Sequence, residues 1–441
     1  MNAIRSIRLP HYFPHLAVTA FSLFSIQPLL HREMMCADDG IFHIYKAVGL
    51  EALIQRGHFF PRWSPEMAHG FGYPLYNFYA PLGSYLLVGL HSLGFIYPTA
   101  LYIAFGLSIW LSGLALFALV RDWWGDAAGV AAAVVYLTAP YLAFDVLFRG
   151  ALAESFAWVW PPLLLWTLHR ALQSQPHSSL RWAIASSACY AALMLTHNIT
   201  SLVVSPLIVG YVALVARQKR DWRPLVYGAV ILLAGLALSA YFWIPALGER
   251  PLIQSDRLLV PPIFTYYTNF ITPTELLALP RAVDPLLINP SPPKALGLLT
   301  ALLALAGMAT LARGRSRARD DAGRIALFGG GLFAYSLMTL PVSRPLWDHL
   351  PLLPFVQFPW RMLMPAALCA SILAGAVVHH VSHLMLRAPR STFHAPRFTP
   401  QAPRDWLAAS LISAIALLGN LSWWNPRYCA PFVEETVARM L

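Results

Sequence analysis

The sequence predicts an all-α polytopic membrane protein, a bundle of about 11 transmembrane helices with juxtamembrane helices in its first outer loop. Three observations predict it. Of 441 residues, 58% are apolar and 12% charged, with a mean hydropathy of +0.56; soluble domains carry about 25% charged residues. Uncharged runs long enough to cross a bilayer recur, among them "VYGAVILLAGLALSAYFWIPAL" from Val226 to Leu247. Basic residues collect in short links between such runs, at 217–223, 313–324 and 387–404. Lys and Arg in short links mark the cytoplasmic side. The net charge of +11 therefore points to anionic membrane lipids as partners and not to nucleic acid.

Charge then orders the elements. Arg5 and Arg8 hold the N-terminus inside, and the long run after them lacks a small-x-small cleavage site, so it reads as an uncleaved first span at 13–30. The next basic link, 121–126, must also lie inside. The run 82–97 is short and contains Gly, Ser and His. It reads as a helix lying at, or partly entering, the outer face. Span 2 is then 98–120, and strict alternation follows: 127–144, 153–169, 182–197, 199–216, 225–247, 294–312, 325–341, 361–385 and 405–424. The chain is read as a single integral membrane domain over 1–441, with a first outer loop at 31–97, a long Pro-rich outer loop at 248–293 and an outside tail. On this topology most acidic residues fall outside. Cys36, Cys189, Cys369 and Cys429 form no CxxC pair, and two of them lie in apolar runs. Neither a disulfide framework nor a zinc site is expected.

The polar residues cluster on the outer side. In "ADDGIFHIYK", Asp38 and Asp39 precede an amphipathic run, Ile41 to Gln55. If 39–55 is helical, Asp39 and His43 share a face, with Lys46 one turn further on. An Asp there also suits a helix cap, but two adjacent carboxylates exceed what a cap needs. "HFFPRWSPEMAHGFGYPLYNFYAPLG" (58–83) holds eight aromatics, four prolines and three glycines. It reads as an interfacial aromatic belt, as the rim of a sugar-binding pocket, or as both; Arg62, Tyr73, Tyr76 and Asn77 are its candidate ligands. Arg149 and Glu154 bracket the loop "DVLFRGALAE", either as an ion pair or with Arg149 gripping a lipid phosphate. His197 and Asn198 occupy the turn "LTHNIT", either as a polar hairpin tip or as donor ligands. Gln357 and Arg361 close "VQFPWR", where Arg361 is a snorkelling anchor or a second phosphate contact.

These features together resemble the GT-C superfamily of polyprenyl-phosphate-sugar-dependent glycosyltransferases. That resemblance implies an essential acidic residue in the first outer loop, just after span 1. More narrowly, "DDGIFHIYKA", the 58–83 stretch, "FRGALAE", "LTHNIT" and "QFPWR" are similar to the bacterial membrane family called 6-pyruvoyl-tetrahydropterin synthase-related. Family members are often longer, which implies a short or incomplete form here. No histidine cluster with soluble-enzyme spacing supports pterin chemistry.

The resemblance implies transfer of a sugar from a polyprenyl-phosphate donor to an unidentified acceptor at the outer face of the plasma membrane. Asp39, or Asp38 second, would act as general base; Arg149, Arg361 and Arg62 would stabilise the leaving phosphate; His43 and His197 would orient the base or bind the donor. Some relatives use Mg or Mn. Asp38, Asp39, His43 and Glu154 could supply ligands to such an ion, though their spacing demands none. The rival readings are a transporter or flippase of lipid-linked sugars and a non-catalytic envelope scaffold. The absence of a sequence repeat and the placing of ionisable residues at span ends favour the enzyme.

Overall fold

The computed structural model describes residues 10–173, 176–254, 264–280, 292–312, 319–385 and 403–435. The basic links at 313–318 and 387–402, and much of the expected 248–293 loop, lie outside them.

The chain opens with α1 (Phe13–Ile26), whose Pro14 sits in the first turn, where its missing N–H costs nothing. Strand β1 (Glu33–Met35) follows, then α2 (Gly40–Gln55), α3 (Leu75–Phe78) and α4 (Leu82–Ser92). The last three form the first loop, and α4 is the short helix that the run 82–97 predicts. Then come α5 (Tyr97–Trp124), α6 (Asp126–Leu137), α7 (Pro140–Ala143), α8 (Leu152–Ala157), α9 (Trp160–Gln173), α10 (Pro176–Thr196) and α11 (Asn198–Lys219). The remainder is α12 (Arg223–Leu238), α13 (Ala240–Gly248), α14 (Pro273–Leu276), α15 (Leu298–Ala312), α16 (Arg319–Met338), α17 (Arg344–His349), α18 (Leu363–Met385), α19 (Pro403–Asn420) and strand β2 (Tyr428–Pro431).

Each expected span falls on helix. Among the described residues, five helices are long and apolar enough to cross a membrane alone, and up to eight qualify if each bent pair is one span. The expectation of eleven rests on charge alternation, which helix length does not reproduce. Two expected spans are broken instead of straight, and a third, 325–341, bends sharply at its end. The pair Asp126–Leu137 and Pro140–Phe148 bends by 44°, the pair α12–α13 by 73°, and α16 with the segment Pro341–His349 by 91°. Pro140 and Pro341 account for the first and third, since a proline removes a helical hydrogen bond and clashes with the preceding turn. Pro161 and Pro162 likewise start α9 afresh after α8.

Helix α18 is the axis of the bundle, packed by α6, α15, α16 and α19. A Cβ on Gly375 would lie 3.0 Å from the Ala128 carbonyl oxygen, so the α18–α6 crossing needs a glycine. Small residues allow such close approach where lipid offers no hydrophobic drive between helices. At one end of the bundle α1, α6 and α10 finish while α5, α8, α11 and α18 begin. Two strands close that end. β1 and β2 pair antiparallel, Glu33 opposite Pro431 and Met35 opposite Tyr428. The pairing brings Cys36 to Cys429, with Cα atoms 5.1 Å apart, and the two form a disulfide. This corrects the expectation of no disulfide: the cysteines are 393 residues apart, and only the strand pairing makes them neighbours.

Candidate functional site

The site is built on the turn between β1 and α2. Backbone bonds dock that turn on the segment after α7: Asp38 N–H donates to the Phe148 carbonyl at 3.2 Å, and Asp39 N–H to the Arg149 carbonyl at 2.7 Å. Gly150 makes the approach feasible. Its φ is +61°, and a Cβ there would lie 2.8 Å from Ala37 Cβ and 3.0 Å from Gly40 N. Glycine alone takes that conformation at little cost.

Asp39 occupies the cap position of α2, yet its side chain makes no capping hydrogen bond. Its carboxylate is 45% exposed and lies 3.7 Å from Arg149 Nη2. Burial raises its pKa above the ordinary carboxylate value, and Asp38 adds to this, while Arg149 and Lys46 pull it back. Asp38 beside it is exposed.

Beneath Asp39 lies a layer of buried charges. Arg149 Nη1 donates to Asp145 Oδ1 at 2.6 Å and to Glu154 Oε2 at 2.7 Å. Its guanidinium packs over Trp360, 4.9 Å from the ring centre. Glu154 also accepts the Tyr141 hydroxyl at 2.5 Å and Arg361 Nε at 3.2 Å. Asp145 accepts the Ser155 hydroxyl at 3.3 Å, and Arg361 Nη1 donates to the Val356 carbonyl at 2.8 Å. Asp145 and Glu154 are buried, so each carboxylate needs these partners to offset its lost hydration. Gln357 has a left-handed φ of +65°, which turns the chain so that Val356 faces Arg361. A non-glycine residue in that region stores strain, a feature that gathers at functional sites.

His43 and Lys46 line the α2 side. The expected shared face of Asp39 and His43 does not bring them together. His43 Nε2 instead accepts the Leu152 N–H at 3.1 Å, tying α2 to α8. Burial, then the cations of Lys46 and Arg149, keep His43 neutral, as that acceptor role requires. Lys46 Nζ lies over the rings of Phe42 and Tyr79, at 4.8 and 5.0 Å. Burial pushes its ammonium down to about 8, against the pull of Asp39. His197 caps α11 through Thr200. Asn198 is exposed beside it.

The other expected ligands lie apart from this layer. Arg62 and Asn77 both hold Glu249, at 2.8 and 2.9 Å. Tyr76 donates to the Lys46 carbonyl and is 6% exposed, so it is a strut and not a rim residue. Tyr73 pairs with Ser64 through backbone alone. Among the described residues, no three His, Cys, Asp or Glu side chains stand together as metal ligands. Of the four expected for Mg or Mn, Glu154 is taken by two arginines and a tyrosine, and His43 by a backbone N–H; these four do not form a ligand set.

Residues 76–417 match the family model described as a 6-pyruvoyl-tetrahydropterin synthase related domain, membrane protein. That is well over half of the chain. The chain belongs to this family. The matched stretch includes Asp145, Arg149, Glu154 and Arg361 but begins after Asp38 and Asp39. An uncharacterized protein of Lactococcus lactis subsp. cremoris (strain MG1363) is 17% identical over 242 residues, covering 53% of this chain and 39% of its own length. The chain is also similar to ArnT from Cupriavidus metallidurans. The structure bound to undecaprenyl phosphate is 15% identical with a TM-score of 0.49, covering 84% of this chain and 60% of ArnT. The apo structure is 16% identical with a TM-score of 0.47, covering 82% and 59%. The chain thus spans under two thirds of each of these proteins.

Two members of the site, Asp145 and Tyr141, escape the sequence reading. Asp145 is the only acidic residue between Asp126 and Glu154, four before Arg149, and that lone carboxylate in an apolar run was the available signal. Tyr141 carries no comparable mark, since a tyrosine in an apolar run is ordinary; the sequence places Lys46 on the α2 face without a role. The loop "DVLFRGALAE" is also shorter than it reads. Phe144–Phe148 forms a buried π-helical turn, because Asp145 and Arg149 find their partners inside the bundle.

Proposed function

We propose that this member of the family transfers a sugar from a polyprenyl-phosphate-linked donor to an acceptor hydroxyl at the outer face of the plasma membrane. One observation carries the reading: Asp39 opens α2 without capping it, half exposed above a layer of arginines already neutralised by buried carboxylates. A carboxylate so placed is available as a base. Asp39 takes the proton of the acceptor hydroxyl while the hydroxyl oxygen attacks the anomeric carbon. The bond from that carbon to the lipid phosphate breaks, and the electron pair leaves with the phosphate. Lys46, whose cation acts on Asp39 alongside those of Arg149 and Arg361, stabilises that charge; Arg149 is already committed to Asp145 and Glu154, and Arg361 to Glu154 and the Val356 carbonyl. Such stabilisation is preorganised when the donors are fixed before reaction.

The Cys36–Cys429 disulfide lies two residues before Asp38, and disulfides persist in oxidising compartments. This supports a site on the outer side. The test uses protein in nanodiscs with a panel of radiolabelled polyprenyl-phosphate sugars, following loss of sugar from the lipid. Wild type turns over and Asp39→Asn does not; equal turnover in both would sink the reading. The sharp breaks at α12–α13 and after α16 also suit a transporter of lipid-linked sugars. Movement of intact donor between leaflets, without loss of sugar, would favour that alternative.

A further inference from the structure

A second feature lies further along α2. A cleft of about 430 Å³ opens between α2, α4 and α13, within the usual range of roughly 300–1,000 Å³ for small-molecule sites. Its walls are the rings of Phe60, Tyr76, Tyr85 and Tyr241. Phe60 and Tyr241 meet edge to face at 5.7 Å and are 73% and 47% exposed, so they form its lip. Arg62 and Asn77 supply polar groups, and Glu249 bridges them.

Asn77 distinguishes this cleft from a plain apolar groove. It is 4% exposed and lines the cleft, and its Nδ2 is committed to Glu249. Its Oδ1 is buried without a hydrogen-bond partner. A buried acceptor left unmade is costly, and such an exception calls for an explanation. Asn77 borders the cleft, and a small turn of its side chain would present this acceptor to a ligand's hydroxyl donor. Aromatic faces carry negative charge and attract the weakly positive C–H faces of a saturated ring. Ring faces, an unfilled acceptor and an adjoining carboxylate–guanidinium pair together describe a polyhydroxylated ring. An apolar chain would use the rings but leave Asn77 Oδ1 unpaired.

We propose that this cleft binds a saccharide ring and, resting on the glycosyl-transfer reading, holds part of a carbohydrate acceptor. Tyr76 in its wall bonds the Lys46 carbonyl, seven residues along α2 from Asp39, a rise of about 10 Å. The ring held here is therefore not the one whose hydroxyl attacks, and the acceptor is longer than one sugar.

Saturation-transfer NMR on the full chain in nanodiscs tests this, with methyl glycosides, maltose and chitobiose as probes and farnesol as the apolar probe. Ring protons of at least one saccharide should receive saturation. Binding should weaken about tenfold in Asn77→Ala, as for one lost hydrogen bond, and fall also in Tyr241→Ala, whose exposed side chain makes that variant safe for folding. The proposal is overturned if no saccharide binds, if binding ignores both variants, or if farnesol alone binds with that sensitivity. Binding is read without turnover, so a chain that binds but never transfers overturns the glycosyl-transfer reading and leaves the cleft. One that transfers while the cleft ignores sugar overturns the cleft alone.

Discussion

Asp39 stands where a helix ordinarily uses an acidic side chain as a cap, and it does not cap. Its partial burial raises its pKa above the ordinary carboxylate value. The fold thus disfavours its ionised form. The stability tied to this group is full below the unfolded pKa and is lost as pH rises through the folded one. Asp39→Asn should therefore unfold at a higher temperature than wild type at neutral pH, and the gap should close as pH falls towards about 3.9; thermal melts in detergent at the two pH values check this. As a base, Asp39 must be ionised, so transfer should fall as pH drops, with a midpoint above that of a free aspartate. Loss of the base should cost about 10²–10⁴-fold in rate, with Asp38→Asn costing much less. Arg149→Ala belongs to another class. It strands Asp145 and Glu154 without their shared cation, a loss of about 3–5 kcal/mol for a broken buried pair. That variant should yield little folded protein by size-exclusion chromatography, whatever its activity.

At the scale of elements, the site depends on α2 being seated against the turn at 148–150. Gly150 is the contact, with both a left-handed φ and a close approach to Ala37 and Gly40. Gly150→Ala should cost about 1–3 kcal/mol through the φ alone and should lower transfer further than its loss of stability explains, because Asp39 moves with α2. Comparing melting temperature with turnover for this variant separates the two effects. Much of this level was legible. The run from Ile41 to Gln55 reads as a helix and is one, and 82–97 reads as too short to span and forms only Leu82–Ser92. The break at 138–140 was not read, although Pro140 stood in the sequence, whereas the bend at 339–341 falls where the span 325–341 was expected to end. Hydropathy sums over a window and ignores where a proline falls within it.

For the whole molecule, one covalent link joins the chain's two ends beside the site. The Cys36–Cys429 bridge fastens β2 to β1, and Tyr428 adds a hydroxyl bond to the Pro28 carbonyl at 2.5 Å. Breaking it should loosen both the tail and the turn that carries Asp38 and Asp39. Cys36→Ser should lower stability by an amount in the usual range of about 2–4 kcal/mol. Cys429→Ser and the double variant should match it, because all three remove the same bond. Thermal melts with and without reductant check this, and reductant should affect only the wild type.

The sequence by itself determined that this is a helical membrane protein and where most of its helices run, and it singled out Asp39, Arg149, Glu154 and Arg361 as candidates. Those properties are local: composition, hydropathy and charge are carried by consecutive residues. Only the tertiary structure decided the partners. Glu154 meets Arg361 from 207 residues away, Cys36 meets Cys429 from 393 away, and Arg62 and Asn77 turn from the charge layer to Glu249 and a separate cleft. Each pairing is set by how distant helices pack, and a buried charge settles on whichever partner that packing presents, because in a bundle stripped of water it cannot remain alone.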